Sequence, residues 1–333
     1  ENTGVLTHLA NSTTAAGEKY KVVLNITSNL TIDLGGQIHA DAMGYSGGQG
    51  PGGAPGYGNG GSHGGKGGYY SAIAPGPTYG SITSPTNLGS GGGQGSASYR
   101  GGGAIQLTVG GASAINGIVS ALGFNAGDGS GAGGSILLTT ATLTGTGTLR
   151  ANGGTTSTRG GGGRIAVILT NDTVFGNITM QAYAGGVGAA GGTVYREHMG
   201  HLSGQGQLIV DYNDISPYNG NLYSKVDVAT MQNSAAASSY EFSEIILTNG
   251  GVYVLDTNDT LNITSTVILG DPTDRSDGIY VDGGTLTVPA AFGFTNNFIA
   301  IGRTNATFLP ATSLTVGTNA TMKFDVPWTV NYP

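Results

Sequence analysis

A four-residue phrase recurs four times at nearly constant spacing: two glycines, a variable residue and a β-branched residue. The copies are Gly102-Gly103-Ala104-Ile105, Gly133-Gly134-Ser135-Ile136, Gly162-Gly163-Arg164-Ile165 and Gly191-Gly192-Thr193-Val194, with steps of 31, 29 and 29 residues. A second phrase follows the first three copies: Ile118-Val119-Ser120-Ala121, Leu149-Arg150-Ala151-Asn152 and Met180-Gln181-Ala182-Tyr183. Aligned on its first apolar residue, it steps by 31 and 31. Self-similarity of this period marks stacked units, none able to bury its apolar face alone.

The expected fold is therefore all-β: a right-handed parallel β-helix with its glycine-rich loops on one side, followed by a C-terminal β block. Ile105, Ile136, Ile165 and Val194 are expected to stack as one internal ladder. Gly103, Gly134, Gly163 and Gly192 are expected to form the tight corner before it.

Composition agrees with a β-protein. Charged residues make up 9% of 333 and glycine contributes 64, against about a quarter and about 7% in an average domain. The surface must then be built mainly from Thr, Ser, Asn and Gln. The net charge of −7 comes from scattered residues, without the Lys/Arg cluster that binds nucleic acid. No apolar run approaches the ~18–20 residues that span a bilayer. With no cysteine, disulfides and thiolate metal sites are excluded.

Two regions divide the chain. Residues 1–200 read as the glycine-rich coil, with strands at Leu24–Thr27 and Leu30–Leu34 and a match to the second phrase at Ile38-His39-Ala40-Asp41. A long loop at 44–103 is rich in glycine and carries Tyr45, Tyr57, Tyr69, Tyr70, Tyr79 and Tyr99. Fixing ten such residues costs about 10–20 kcal/mol. An ordered loop or a bundle of polyproline-II strands is preferred to a flexible linker. Residues 201–333 read as a second β block, continuing the solenoid or forming a small sandwich, after an irregular connector at 211–240 with a short helix near Asn233–Tyr240.

Segments LTIDLGGQIHADAMGYSGGQGPG (30–52), GGSHGGKGG (60–68), TLTGTGTLRANGG (142–154) and GGGGRIAV (160–167) resemble the large glycine-rich secreted or surface proteins of bacteria and protists. Those are similar to parallel β-helix adhesins and lack an assigned catalytic activity. The resemblance covers about residues 23–200. It implies an extracellular β-helix and transfers no active-site residue.

Nine Asn-Xaa-Thr triplets, at Asn11, Asn25, Asn29, Asn171, Asn177, Asn258, Asn262, Asn305 and Asn319, are glycosylation candidates in a eukaryotic secreted protein. The chain opens at Glu1 without Met, which fits a processed mature protein.

Chemistry is sparse. No glycine tract carries a Gly-Lys-Ser/Thr ending between strand and helix, and no α/β framework supports a nucleophile elbow. Glu197-His198-Met199-Gly200-His201 sets two imidazoles three apart, facing opposite sides if on a strand. It reads as a polar turn closing the repeats. Asp271, Asp274 and Asp277 cluster near a turn, with Arg275 the only base beside them. They are weak metal candidates for Ca2+, the ion such oxygens suit, and a solvated turn is the preferred reading. His63 reads as a hydrogen-bonding loop residue.

The function expected is that of a structural subunit of an extracellular filament, sheath or surface appendage, without enzymatic activity or cofactor. Its partners are copies of itself, with Trp328 on an assembly strand. The alternatives are an adhesin binding glycans through the Tyr/Gly-rich loops and, behind it, a polysaccharide lyase or hydrolase. Bound or covalent glycans are further candidate partners; nucleic acid and membrane spans are not expected.

Overall fold

The computed structural model describes residues 4–11, 18–54, 56–68, 74–156, 158–214, 230–231, 238–265, 267–272, 277–303, 305–309 and 312–327. Among them every regular element is a strand and no helix occurs. The first half contributes β1 (Val5–Leu6), β2 (Val22–Ile26), β3 (Leu30–Ile32), β4 (Gln37–His39), β5 (Ala104–Ile115), β6 (Ile118–Ser120), β7 (Ser135–Thr144), β8 (Thr148–Arg150), β9 (Arg164–Leu169), β10 (Thr179–Gln181) and β11 (Thr193–Glu197). They sort into two sheets, β1-β4-β6-β8-β10 and β2-β5-β7-β9-β11, with β3 also pairing β5. Each of these pairings is parallel.

Parallel pairing follows from the repeat, because the chain returns to the same sheet once per pass and in the same direction. Ile105 pairs with Ile136, Ile136 with Ile165 and Ile165 with Val194. All four are buried in one core cluster with Val119, Leu149 and Leu138. A buried aliphatic side chain contributes roughly 1.5–3 kcal/mol, so the ladder is a main source of cohesion in this half.

Two details differ from the sequence reading. The second phrase is out of step by one residue: Ile118 pairs with Thr148, and the aligned positions are Ile38, Val119, Leu149 and Met180. The glycines before the ladder serve close approach rather than a bend. None of Gly103, Gly134, Gly163 and Gly192 has φ in the left-handed region. Instead, a Cβ on Gly134 would lie 1.9 Å from the Gly103 oxygen, one on Gly163 2.1 Å from the Gly134 oxygen, and one on Gly192 1.8 Å from the Gly163 oxygen. Each pass rests its backbone directly on the previous one.

The glycine tract is ordered by the same means, with hydrogen bonds running between segments. Gly44 N donates to Gly101 O (2.7 Å), Gly102 N to Ala132 O (2.8 Å), Ala132 N to Ser90 O (3.0 Å), Gly133 N to Gly161 O (2.9 Å) and Gly161 N to Gly61 O (2.9 Å). Pairing of buried amides offsets the ordering cost that glycine brings. Tyr45 and Tyr79 are buried within the tract; Tyr69 and Tyr70 lie outside the described residues.

The chain reverses after β11. β12 (Gln207–Asp211) runs antiparallel to β11, pairing Val194 with Ile209 and Tyr195 with Leu208. It is the one antiparallel partner among the named strands described. From there come β13 (Thr230–Met231), β14 (Ser238–Phe242), β15 (Glu244–Thr248), β16 (Val252–Asp256), β17 (Asp259–Ile263), β18 (Val267–Ile268), β19 (Gly278–Asp282), β20 (Thr285–Thr287), β21 (Ala291–Phe294), β22 (Phe298–Ile301), β23 (Thr307–Leu309), β24 (Ser313–Val316) and β25 (Thr321–Phe324). β15 extends the first half's larger sheet through β12. The others form three parallel sheets, β13-β16-β19-β22-β25, β14-β17-β20-β23 and β18-β21-β24.

The core changes sides at the reversal. Ile136, Ile165 and Val194 face the first cluster, whereas Leu137, Ala166 and Tyr195 on the opposite face join the second. That second cluster continues through Leu208, Ile245, Tyr253, Ile279 and Ile299. The larger sheet is therefore buried on both faces along the starts of β7, β9 and β11, where its apolar runs are near-continuous. Residues 238–240 of the expected helix are strand, because Ser239 and Tyr240 pair with Thr260 and Leu261; 233–237 lie outside the described residues.

Candidate functional site

A buried polar region lies where the glycine tract meets the second-core face of the larger sheet. Ser135, Arg164 and Thr193 occupy one register row there and all are buried. Ser135 Oγ donates to Asn87 O (2.6 Å), Arg164 Nε to Tyr79 O (2.9 Å) and Arg164 Nη1 to Thr193 Oγ1 (3.1 Å). Ile82 packs into the second core, and its amide donates to the Tyr240 hydroxyl (3.0 Å). Arg164 thus fastens the tract to the sheet, and among the described residues no carboxylate pairs with it. A buried unpaired cation is costly, so its role rests on these carbonyl and hydroxyl acceptors.

His63 is buried in the same region, with Nδ1 2.9 Å from Gly133 O. Because a carbonyl only accepts, Nδ1 carries the proton. Burial, then the Arg164 charge, pushes the imidazole down to about 3, so it stays neutral at physiological pH. The ring stacks at a tilt on Tyr79, with centroids 4.7 Å apart.

Glu197 and the two histidines build the reversal turn. Glu197 accepts from the Tyr195 hydroxyl (2.5 Å) and from Gly204 N (2.7 Å), and Gly206 N donates to the Tyr195 oxygen (2.8 Å). His198 and His201 stack with centroids 3.7 Å apart. The Nδ1 of His201 accepts from His198 N (3.1 Å) and that of His198 from Gly200 N (3.0 Å). Among the described residues no group of three or more His, Cys, Asp or Glu could hold a metal ion.

The acidic cluster is divided. Asp277 is buried and accepts from Gly251 N (2.8 Å) and Asp271 N (3.0 Å). Its carboxylate accepts from these two peptide donors and closes a corner loop. Asp271 contributes its backbone to that contact, and Asp274 lies outside the described residues, as does Trp328.

Asn11 does not suit a glycan in this fold. It is buried, its Nδ2 donates to Tyr20 O and Met43 O (both 2.9 Å), and its Oδ1 accepts from Lys19 N (2.8 Å) and Tyr20 N (2.9 Å). A side chain making all four bonds has no room for a sugar. Asn25, Asn29, Asn171, Asn177, Asn258, Asn305 and Asn319 are exposed and Asn262 half-buried. Neither the clamp at Asn11 nor the anchoring by Arg164 carries a sequence signal, since each includes a backbone carbonyl from a remote segment, Met43 for Asn11 and Tyr79 for Arg164.

No family model matches the chain, and neither a curated protein nor a solved structure does.

Proposed function

We propose that this chain is a right-handed parallel β-helix in two blocks, 1–200 and 201–333, acting as a structural subunit of an extracellular filament, sheath or surface appendage that assembles with its own copies. The reversal at β12 fits one hand throughout. A half-turn about the stacking axis flips strand direction and core face together, and a rotation preserves handedness. The crossover rule makes that hand right-handed.

One observation carries the structural reading. The side chains most able to do chemistry, Arg164, His63, Glu197 and Asp277, are engaged with backbone or neighbouring side chains that hold the fold. Strand edges support self-association. Among the described residues β1 and β25 each pair on one side, with Val5, Leu6 and Phe324 exposed beside them. A cavity of about 640 Å³ between β1 and β3 is lined by Val5, Leu6, Leu24, Leu30, Ile32 and Ile38. Such edges template further strands unless covered.

Sedimentation velocity tests this. The wild-type chain is expected to form species that grow with concentration, and Leu6→Lys or Phe324→Lys to shift them towards monomer. A strictly monomeric wild-type chain at high concentration would overturn it. A second reading, a glycan-binding adhesin, is favoured by the exposed tyrosine at position 57 (64% accessible). A polysaccharide-degrading enzyme is disfavoured by the engagement of Asp277.

A further inference from the structure

Two tyrosine rings converge on a bare stretch of backbone at the solvent side of the glycine tract. Gly95 lies in a turn where Tyr99 N donates to Ser96 O (3.1 Å) and Ser98 N to Ser96 Oγ (3.2 Å). A Cβ on Gly95 would lie 3.2 Å from Cε2 of Tyr57 and 3.3 Å from Cε2 of Tyr99. Both ring edges therefore border the same glycine. Tyr57 is well exposed, although Tyr45 and Tyr79 of the same tract are buried. Its hydroxyl donates to the exposed carboxylate of Asp128 (3.2 Å), which ties the ring down.

We propose that Tyr57, Tyr99 and Asp128 form a binding site for a neutral hexopyranose unit of a polysaccharide. This deepens the adhesin reading and rests on it. The chemistry matches on three counts. A pyranose with equatorial hydroxyls presents axial C–H groups on its faces, and an aromatic ring packs against such an apolar face while its polar tip stays wet. Asp128 accepts one bond from Tyr57, leaving lone pairs for sugar hydroxyls, and charge-assisted bonds of this kind are the stronger ones. The carboxylate and the chain's net charge of −7 repel uronate and sulfated sugars, which selects the neutral class. The rings are held before the ligand arrives, which limits the ordering cost of binding.

Saturation-transfer difference NMR and a titration with cellohexaose test the proposal, with trigalacturonate as the charged comparator. The wild-type chain is expected to bind cellohexaose with a dissociation constant around 1 mM and trigalacturonate more weakly. Tyr57→Ala and Tyr99→Ala are each expected to weaken binding about tenfold, and Asp128→Asn several-fold, with circular dichroism unchanged, since Tyr57 and Asp128 are exposed and Tyr99 is only half-buried. Binding that survives in the double tyrosine variant overturns this site and leaves the adhesin reading standing. No saturation transfer to the wild-type chain overturns both. Equal binding of trigalacturonate contradicts the charge selection.

Discussion

The Gly163 amide donates to the Ala151 carbonyl at 2.7 Å, joining the two repeated phrases within one pass of the chain. The same bond recurs from Gly103 to Ala40, Gly134 to Ala121 and Gly192 to Ala182, each at 2.7 Å. The two phrases are thus two ends of one contact. Glycine is required because the donor's Cα lies against the preceding pass.

Substituting a glycine of this ladder should be severe. Gly163→Val places a side chain where a Cβ would already stand 2.1 Å from a carbonyl oxygen, and a backbone neighbour cannot rotate away. A loss of about 3 kcal/mol or more is expected in urea denaturation. Gly127, with nothing within 4 Å of its Cβ position, is the control. Gly127→Ala should stay within about 0.5 kcal/mol.

The aliphatic ladder gives a graded series. Ile165 is fully buried, so Ile165→Val should cost about 0.5–1.5 kcal/mol and Ile165→Ala about 2–5 kcal/mol. Equal small losses from both would mean that the side chain does not sit in a packed core.

Asp277→Ala strands two inward-facing amides, those of Gly251 and Asp271. A loss of about 1–3 kcal/mol is expected. Calcium or a chelator should leave the melting temperature of the wild-type chain unchanged; a calcium-dependent rise would identify this cluster as a metal site.

Acid should weaken the fold through His63. Its folded value of about 3 lies below the ordinary 6.5, so between these the unfolded chain binds the extra proton. The stability it permits is complete above about pH 6.5 and declines as pH falls towards 3. The denaturation midpoint should drop between pH 7 and 4, and His63→Gln should flatten that drop. Identical slopes would show that His63 is not buried as a neutral ring.

Much of the first half is legible in the sequence because the glycine pair and the β-branched residue repeat together, fixing Ile105, Ile136 and Ile165 in register. Aligning the second phrase on Ile118 is off by one because Ile118 and Val119 are both apolar, and alternation alone does not say which faces inward. The reversal at β12 is not legible in the sequence, because Gln207–Asp211 alternates identically for parallel and antiparallel pairing. The burial of Asn11 is invisible locally, since its four partners include Met43, which chain folding alone brings near.

X-ray fibre diffraction from aligned assemblies of the purified chain tests the central claim most directly. Stacked passes predict a reflection near 4.7–4.9 Å along the assembly axis, the spacing of neighbouring strands, with strands perpendicular to that axis. A chain that forms no assembly at any concentration, or one whose reflection lies across the axis, would contradict the account.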